Sequence, residues 1–219
     1  MDNNVYDNNM KFLPFLKFLE KNKRIIISIL LIVVFVVSYK IINNQLTKKN
    51  NAEASIIYTS FYDEISSENP DYALVEETLN NLLNAYGSSG YAQIALLKKA
   101  SLDARNDNFE ESLNSFQKLV SITDGSNGNK IYNKIARVSA ARILASENKY
   151  DEALDMIEKF TSESTNGYIH ELTGDILHKQ NKTDLSLAQY NKALEKYNDE
   201  TSKSIISMKI ANLGKKVDK

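Results

Sequence analysis

Residues 150–160 read YDEALDMIEKF, and the same pattern recurs as FEESLNSFQKL at 109–119 and TDLSLAQYNKA at 183–193. In each stretch a small residue is followed four positions later by a large one: Ser112 and Phe116, Ala153 and Ile157, Ser186 and Tyr190. Twelve residues before each small residue stands another: Ala100, Ala141 and Gly174. A polar break lies between the two members of every pair, near Asn106–Asn108, Asn148–Lys149 and Lys179–Lys182. Two small residues on consecutive antiparallel helices let the backbones approach closely, and the large residue fills the groove beside the crossing.

Working outward, further breaks fall near Ser67–Pro70, Gly87–Gly90, Gly125–Asn129, Ser164–Gly167 and Asn198–Glu200. The stretches between them have helical periodicity and none alternates with period two, so the expected fold class is all-α. The scarcity of turn formers, seven Gly and two Pro, also argues against an all-β chain. The units are spaced by 41 and then 33 residues from Ala100 to Ala141 to Gly174. This is near the tetratricopeptide (TPR) period of about 34. The excess in the first interval matches SITDGSNGN (121–129), read as an insertion between helices. The helix pair before residue 90 reads as a degenerate first repeat. Residues 201–215 read as a capping helix that covers the last repeat with Ile205, Ile206, Met208, Ile210 and Leu213.

Ahead of this array lies IIISILLIVVFVVSYKII, Ile25–Ile42. At about 1.5 Å per residue it matches the hydrocarbon thickness of a bilayer. The expected organisation is a basic cytoplasmic segment at 1–24, a transmembrane signal anchor at 25–42, a linker at 43–50 and a TPR-like α-solenoid at 51–219. The Asn-rich residues 1–9 are expected to be disordered, and KFLPFLKFLEKNK before the span to lie partly on the membrane surface. Lys11, Lys17, Lys21, Lys23 and Arg24 precede the span, while Lys40, Lys48 and Lys49 follow it. That asymmetry places the N-terminus in the cytoplasm and the repeats across the membrane. The A-x-A sequence Ala52-Glu53-Ala54 lies too far beyond Ile42 for ordinary signal cleavage.

Charge is unevenly spread: residues 1–49 carry a net +5 and the remainder a net −6. An acidic soluble part excludes the basic face on which nucleic-acid binding depends. Without Cys there is neither a disulfide nor a thiolate metal site. No nucleophile elbow, Walker loop, dinucleotide fingerprint or HExxH motif occurs. His170 and His178, eight apart on one helix, lie about 12 Å apart along its axis, too far to share a metal. Counting from Asp124, the sixth and twelfth positions of a calcium loop would be Asn129 and Ile135, not Gly and Glu. Most of the twelve tyrosines fall at helical spacing beside apolar residues and read as groove fillers. The expectation is a chain without catalytic residues, cofactor, metal or small-molecule substrate.

Superimposing Ala100, Ala141 and Gly174 puts Leu97, Ser101 and Arg105, then Val138, Arg142 and Ala145, then Tyr168, Glu171, Asp175 and His178 on the concave face. Arg105, Arg142, Tyr168, Glu171 and His178 are the candidate partner-binding residues, since Arg and Tyr are enriched at interface hot spots. The plainer reading is that Arg142 and Asp175 pair with neighbouring repeats.

The order of these features resembles the YfgM family of ancillary SecYEG translocon subunits. The resemblance runs through FLEKNKR (18–24), the span, YAQIALLKKASL (91–102), IARVSAARILASENKYDEALDMIEKF (135–160), ELTGDILHKQNKTDLSLAQYNKAL (171–194) and SMKIANL (207–213). Ser112 and Ser186 depart from the usual Ala, and the tail KKVDK is lysine-rich. The resemblance implies a non-catalytic protein of the bacterial inner membrane with a periplasmic TPR domain. Its implied partners are SecYEG, a PpiD-like chaperone and exported clients. The alternative is a cell-envelope TPR scaffold serving division or outer-membrane assembly.

Overall fold

A computed structural model describes residues 4–125, 128–163 and 166–213. Among these the elements are all helices: α1 (Asn4–Ile65), α2 (Tyr72–Tyr86), α3 (Gly90–Arg105), α4 (Phe109–Thr123), α5 (Lys130–Ser146), α6 (Tyr150–Glu163), α7 (Gly167–Lys179), α8 (Thr183–Lys196) and α9 (Glu200–Leu213). No strand occurs among the described residues. The chain divides into two compact units, one ending at Glu53 and the other beginning at Ala54.

The first unit is helical throughout its described length. Residues 4–9, expected to be disordered, and the linker 43–50 both belong to α1. Once a helix is nucleated, each added residue costs little, so polar flanks readily extend an apolar helix. Its apolar stretch is long and apolar enough to cross a membrane and is unburied by the protein itself. Ser28, a polar residue inside that run, donates its hydroxyl to the Arg24 carbonyl at 2.9 Å and so carries no unsatisfied donor.

The second unit is a ladder of helix pairs. Ala54, Phe61 and Ile65 from the end of α1 and Val75, Leu79 and Leu82 from α2 are buried in the same core as α3, ahead of the recognisable repeats. The Tyr58 ring lies tilted against that of Tyr91 of α3, centroids 5.5 Å apart, and Lys98 sits 4.2 Å above the Tyr62 ring. Lys99 of α3 bonds Asp103 at 2.8 Å and reaches Glu76 of α2 at 3.5 Å, tying α2 to α3.

Each recognisable pair has its two small residues fully buried, except that Gly174 gives way to an aromatic ring rather than a methyl. A Cβ placed on Gly174 would stand 2.5 Å from Cε1 of Tyr190, so only glycine admits that ring. The serines at the partner positions have a specific role. Ser112 donates its hydroxyl to the Ala100 carbonyl at 2.7 Å, and Ser186 donates to the Gly174 carbonyl at 2.8 Å. Both are buried and both bonds cross the helix pair from one small position to the other.

The turns repeat as closely as the crossings. Seven residues after each small residue stands a residue with positive φ: Asp107 (61°), Asn148 (64°) and Asn181 (60°). The next amide then reaches back to the carbonyl five residues earlier, Asn108 to Asp103, Lys149 to Leu144 and Lys182 to Leu177, each at 2.9 Å. This is the Schellman ending, and Asn and Asp tolerate its left-handed residue better than other non-glycines.

α9 covers the array less fully than expected. Ile206 is buried and Ile210 and Leu213 are half-buried, but Ile205 and Met208 remain exposed. A single helix presents one face to α8, and apolar residues on its far side have nothing to cover. Gly214 and the tail KKVDK lie outside the described residues.

Replacing Gly174 with Ala is expected to destabilise the full chain in detergent by about 1–3 kcal/mol, the usual cost of overpacking. In a Tyr190→Leu background the same change should cost markedly less, as a double-mutant cycle by thermal or urea unfolding would read directly. Ser112→Ala and Ser186→Ala should each cost about 1 kcal/mol, the net worth of one hydrogen bond.

Candidate partner-binding groove

The Schellman turn that ends α3 sends the chain back as α4, and α5 then packs alongside both. At the turn end of this three-helix arrangement lies a groove of about 480 Å³, inside the range of roughly 300–1,000 Å³ typical of ligand sites. Its floor is apolar: Phe116 and Ile143 are nearly buried, and Phe109 at the start of α4 is 39% exposed along one wall. Ser101, Ser139 and Ser146 also line it, the Ser146 hydroxyl donating to the Ile143 carbonyl at 2.7 Å. Arg105 enters from the last turn of α3 and Arg142 from α5.

Both arginines are exposed, and neither has an ion-pair partner among the described residues. Arg105 Nε donates to the Ser101 carbonyl at 3.2 Å, which holds the base of its guanidinium against the groove. Part of the positive charge of Arg105, in the last turn of α3, offsets the negative end of that helix. The guanidinium forks nevertheless have donors left for an anion from outside.

Of the five residues expected to bind a partner, the structure brings Arg105 and Arg142 into one groove. The other three sit apart, on α7. Tyr168 is 36% exposed in its first turn and His178 is exposed in its last. Glu171 is engaged within the chain: it accepts from the Tyr197 hydroxyl at 2.5 Å and from Lys209 at 2.7 Å. Asp175, which the plainer reading assigned to an inter-repeat pair, has one: Lys209 of α9 bonds both its oxygens at 2.7 and 2.8 Å, and Tyr190 donates to it at 2.7 Å. Among the described residues Arg142 has no such pair. Phe109, Ser139 and Ser146 were not singled out from sequence. An aromatic immediately after a turn carries no periodicity that separates a groove wall from a core residue, and serines on a helix are silent.

The α7–α9 cluster has its own electrostatics. Burial raises the Tyr190 and Tyr197 hydroxyls well above the ordinary tyrosine range, reinforced by the carboxylates of Asp175 and Glu171 that accept their protons. Burial acts to lower the Lys209 pKa, but hydrogen bonds to Asp175 and Glu171 outweigh it and the net shift is upward.

Near the insertion, Asp124 is occupied by cations of the chain itself, Arg137 and Lys159, both at 3.3 Å. The hydrogen bond from Lys159, then the charges of Lys159 and Arg137, hold this carboxyl below its ordinary range. Asn133 donates to the Val120 carbonyl and to the Thr123 hydroxyl, each at 3.2 Å, so a polar knot ties the end of α4 to the start of α5. Ser126 and Asn127 lie outside the described residues. Among the described residues no group of three or more His, Cys, Asp or Glu side chains converges as a metal site would require.

A stack of helix pairs with an open groove and a long apolar helix ahead of it defines a helical-repeat protein-interaction scaffold. The chain belongs to the tetratricopeptide repeat-like domain family, whose model matches residues 17–215 and so includes the apolar run as well as the repeats. Among solved structures it is similar to the MamA RS-1 ArsTM double mutant, with 11% identity over 73% of this chain and 93% of that one and a TM-score of 0.51. That likeness is one of fold. No curated protein sequence matches the chain.

Raised pKa values on Lys209, Tyr190 and Tyr197 give one sign. Each group contributes stability fully present below its unfolded value, about 10 for Tyr and about 10.4 for Lys, and lost as pH rises through the higher folded value. The C-terminal pair is therefore expected to hold at pH 9 and loosen above about pH 10.5. Absorbance titration of the tyrosines should show a late-ionising fraction that shrinks in Tyr197→Phe. Lys209→Met leaves two carboxylates without their cation and, being partly solvent-screened, should cost about 1–2 kcal/mol in thermal unfolding at pH 7.

Proposed function

We propose that this chain is a membrane-anchored scaffold of the YfgM kind, associating with the SecYEG translocon and a PpiD-like chaperone to handle exported proteins. The observation that carries the reading is the union, within one family match over residues 17–215, of an apolar helix able to span a bilayer and a repeat array. An array with an open groove suits protein binding, and no family evidence points to catalysis. In this reading Ile25–Ile42 holds the protein in the inner membrane with the basic N-terminal flank in the cytoplasm and the repeats in the periplasm. The stronger positive charge before the span than after it supports that direction.

A photo-crosslinking residue in place of Tyr39, near the far end of the span, is expected to capture a translocon subunit in intact membranes. Recovery of division or outer-membrane assembly proteins, with no translocon or PpiD-type partner, would overturn this assignment. A reporter fused after Lys219 should be active only outside the cytoplasm.

A further inference from the structure

We infer that the groove between α3, α4 and α5 takes an acidic peptide segment bearing a large apolar side chain, with its carboxylates on Arg105 and Arg142 and its apolar group against Phe109, Phe116 and Ile143. The inference rests on the scaffold reading and names what the scaffold grips. Its first support is charge complementarity. Two exposed guanidinium groups with no ion-pair partner among the described residues border an apolar floor.

Its second support is a comparison inside the array. Gly174 plus one further period of 33 residues reaches Ser207, which puts α9 in the register of α5. Arg142 then lies one position beyond the small residue of its helix, and Lys209 two beyond its own. Lys209 is answered by Glu171 and Asp175 of the preceding repeat at 2.7 Å. The residue of α3 equivalent to Asp175 is Ser101, which lines the same groove as Arg142 and cannot balance its charge. Where the array closes on itself, the incoming cation meets a carboxylate. In the α3–α5 groove no described residue supplies that carboxylate, and a partner's carboxylate fills the same electrostatic role. Guanidinium groups suit this because they bind carboxylates through two parallel hydrogen bonds.

The test uses the full chain in phosphatidylcholine nanodiscs and a fluorescent decapeptide of alternating Glu and Phe, read by anisotropy, with a Lys-for-Glu peptide as counterpart. The acidic peptide is expected to bind and to weaken as salt rises. Arg105→Glu with Arg142→Glu should reduce that binding at least tenfold and confer binding of the Lys peptide. Arg105→Gln with Arg142→Gln, a milder pair, should reduce the first without conferring the second. Circular dichroism melting checks that each variant folds. Acidic-peptide binding that survives both double variants overturns the inference, as does equal binding of the two peptides by the unaltered chain. Arginine-dependent loss of peptide binding on changing to phosphatidylglycerol nanodiscs would assign the groove to a lipid headgroup and also overturn it. Partners that still copurify with a variant unable to bind peptide leave the scaffold reading standing and remove only the groove. Absence of any copurifying partner with the unaltered chain removes the scaffold reading itself.

Discussion

Everything in the repeat region depends on the close approach of two backbones at one point per hairpin. Ala100 meets Ser112, Ala141 meets Ala153 and Gly174 meets Ser186, each pair twelve residues apart and buried. That spacing works only if the intervening turn has a constant length and hand, which the left-handed residues Asp107, Asn148 and Asn181 provide. Crossing and turn are therefore one constraint seen at two places. Changing the turn would shift the register of the second helix and carry the small residue away from the crossing. The serine hydroxyls at 112 and 186 strengthen the contact without adding bulk, because a hydroxyl directed at a carbonyl occupies space as a bond rather than as a clash.

The same constraint sets the electrostatics. Fixing every first helix in one register brings equivalent positions of successive repeats together, so a residue's neighbours are dictated by the repeat before and after it. In the last groove that places Lys209 against Glu171 and Asp175, locking α9 through charge where its apolar coverage is thin. In the earlier groove it places Arg142 beside Ser101 and Arg105. The fold is indifferent to which of these occurs, because neither crossing nor turn uses those side chains. This is how a repeat protein keeps its scaffold while freeing surface positions for partners.

The crossings were legible from sequence because small residues at a fixed spacing have no other common cause, and the turns were visible as Asn-rich breaks. The grouping of Arg105 with Arg142 followed from the same superposition. What stayed hidden was pairing at longer range. Glu171 looked available on its helix, but its counter-ion lies 38 residues later in α9, and no local pattern announces that Lys209 reaches back. The helical state of residues 4–9 and 43–50 was likewise invisible, since polar residues read as linker whether or not a neighbouring helix extends through them. The buried knot of Thr123, Asn133 and Val120 was concealed by an insertion that reads as a flexible turn.

A shallow groove with two solvent-exposed arginines binds weakly by itself, because water and salt compete for the same guanidinium groups. Anchoring changes what weak binding accomplishes. In the proposed reading, scaffold and partner share one membrane, so a first contact through the span turns engagement of the groove into a local event. For short tethers the effective concentration is on the order of millimolar, enough to occupy a site that would stay empty in dilute solution. Weakness then becomes useful, since a client held by exposed ion pairs dissociates quickly once it moves away from the anchor. A deeper, fully desolvated site would gain affinity and lose that release. Exposed arginines over a shallow apolar floor therefore suit a scaffold that passes segments on rather than retaining them.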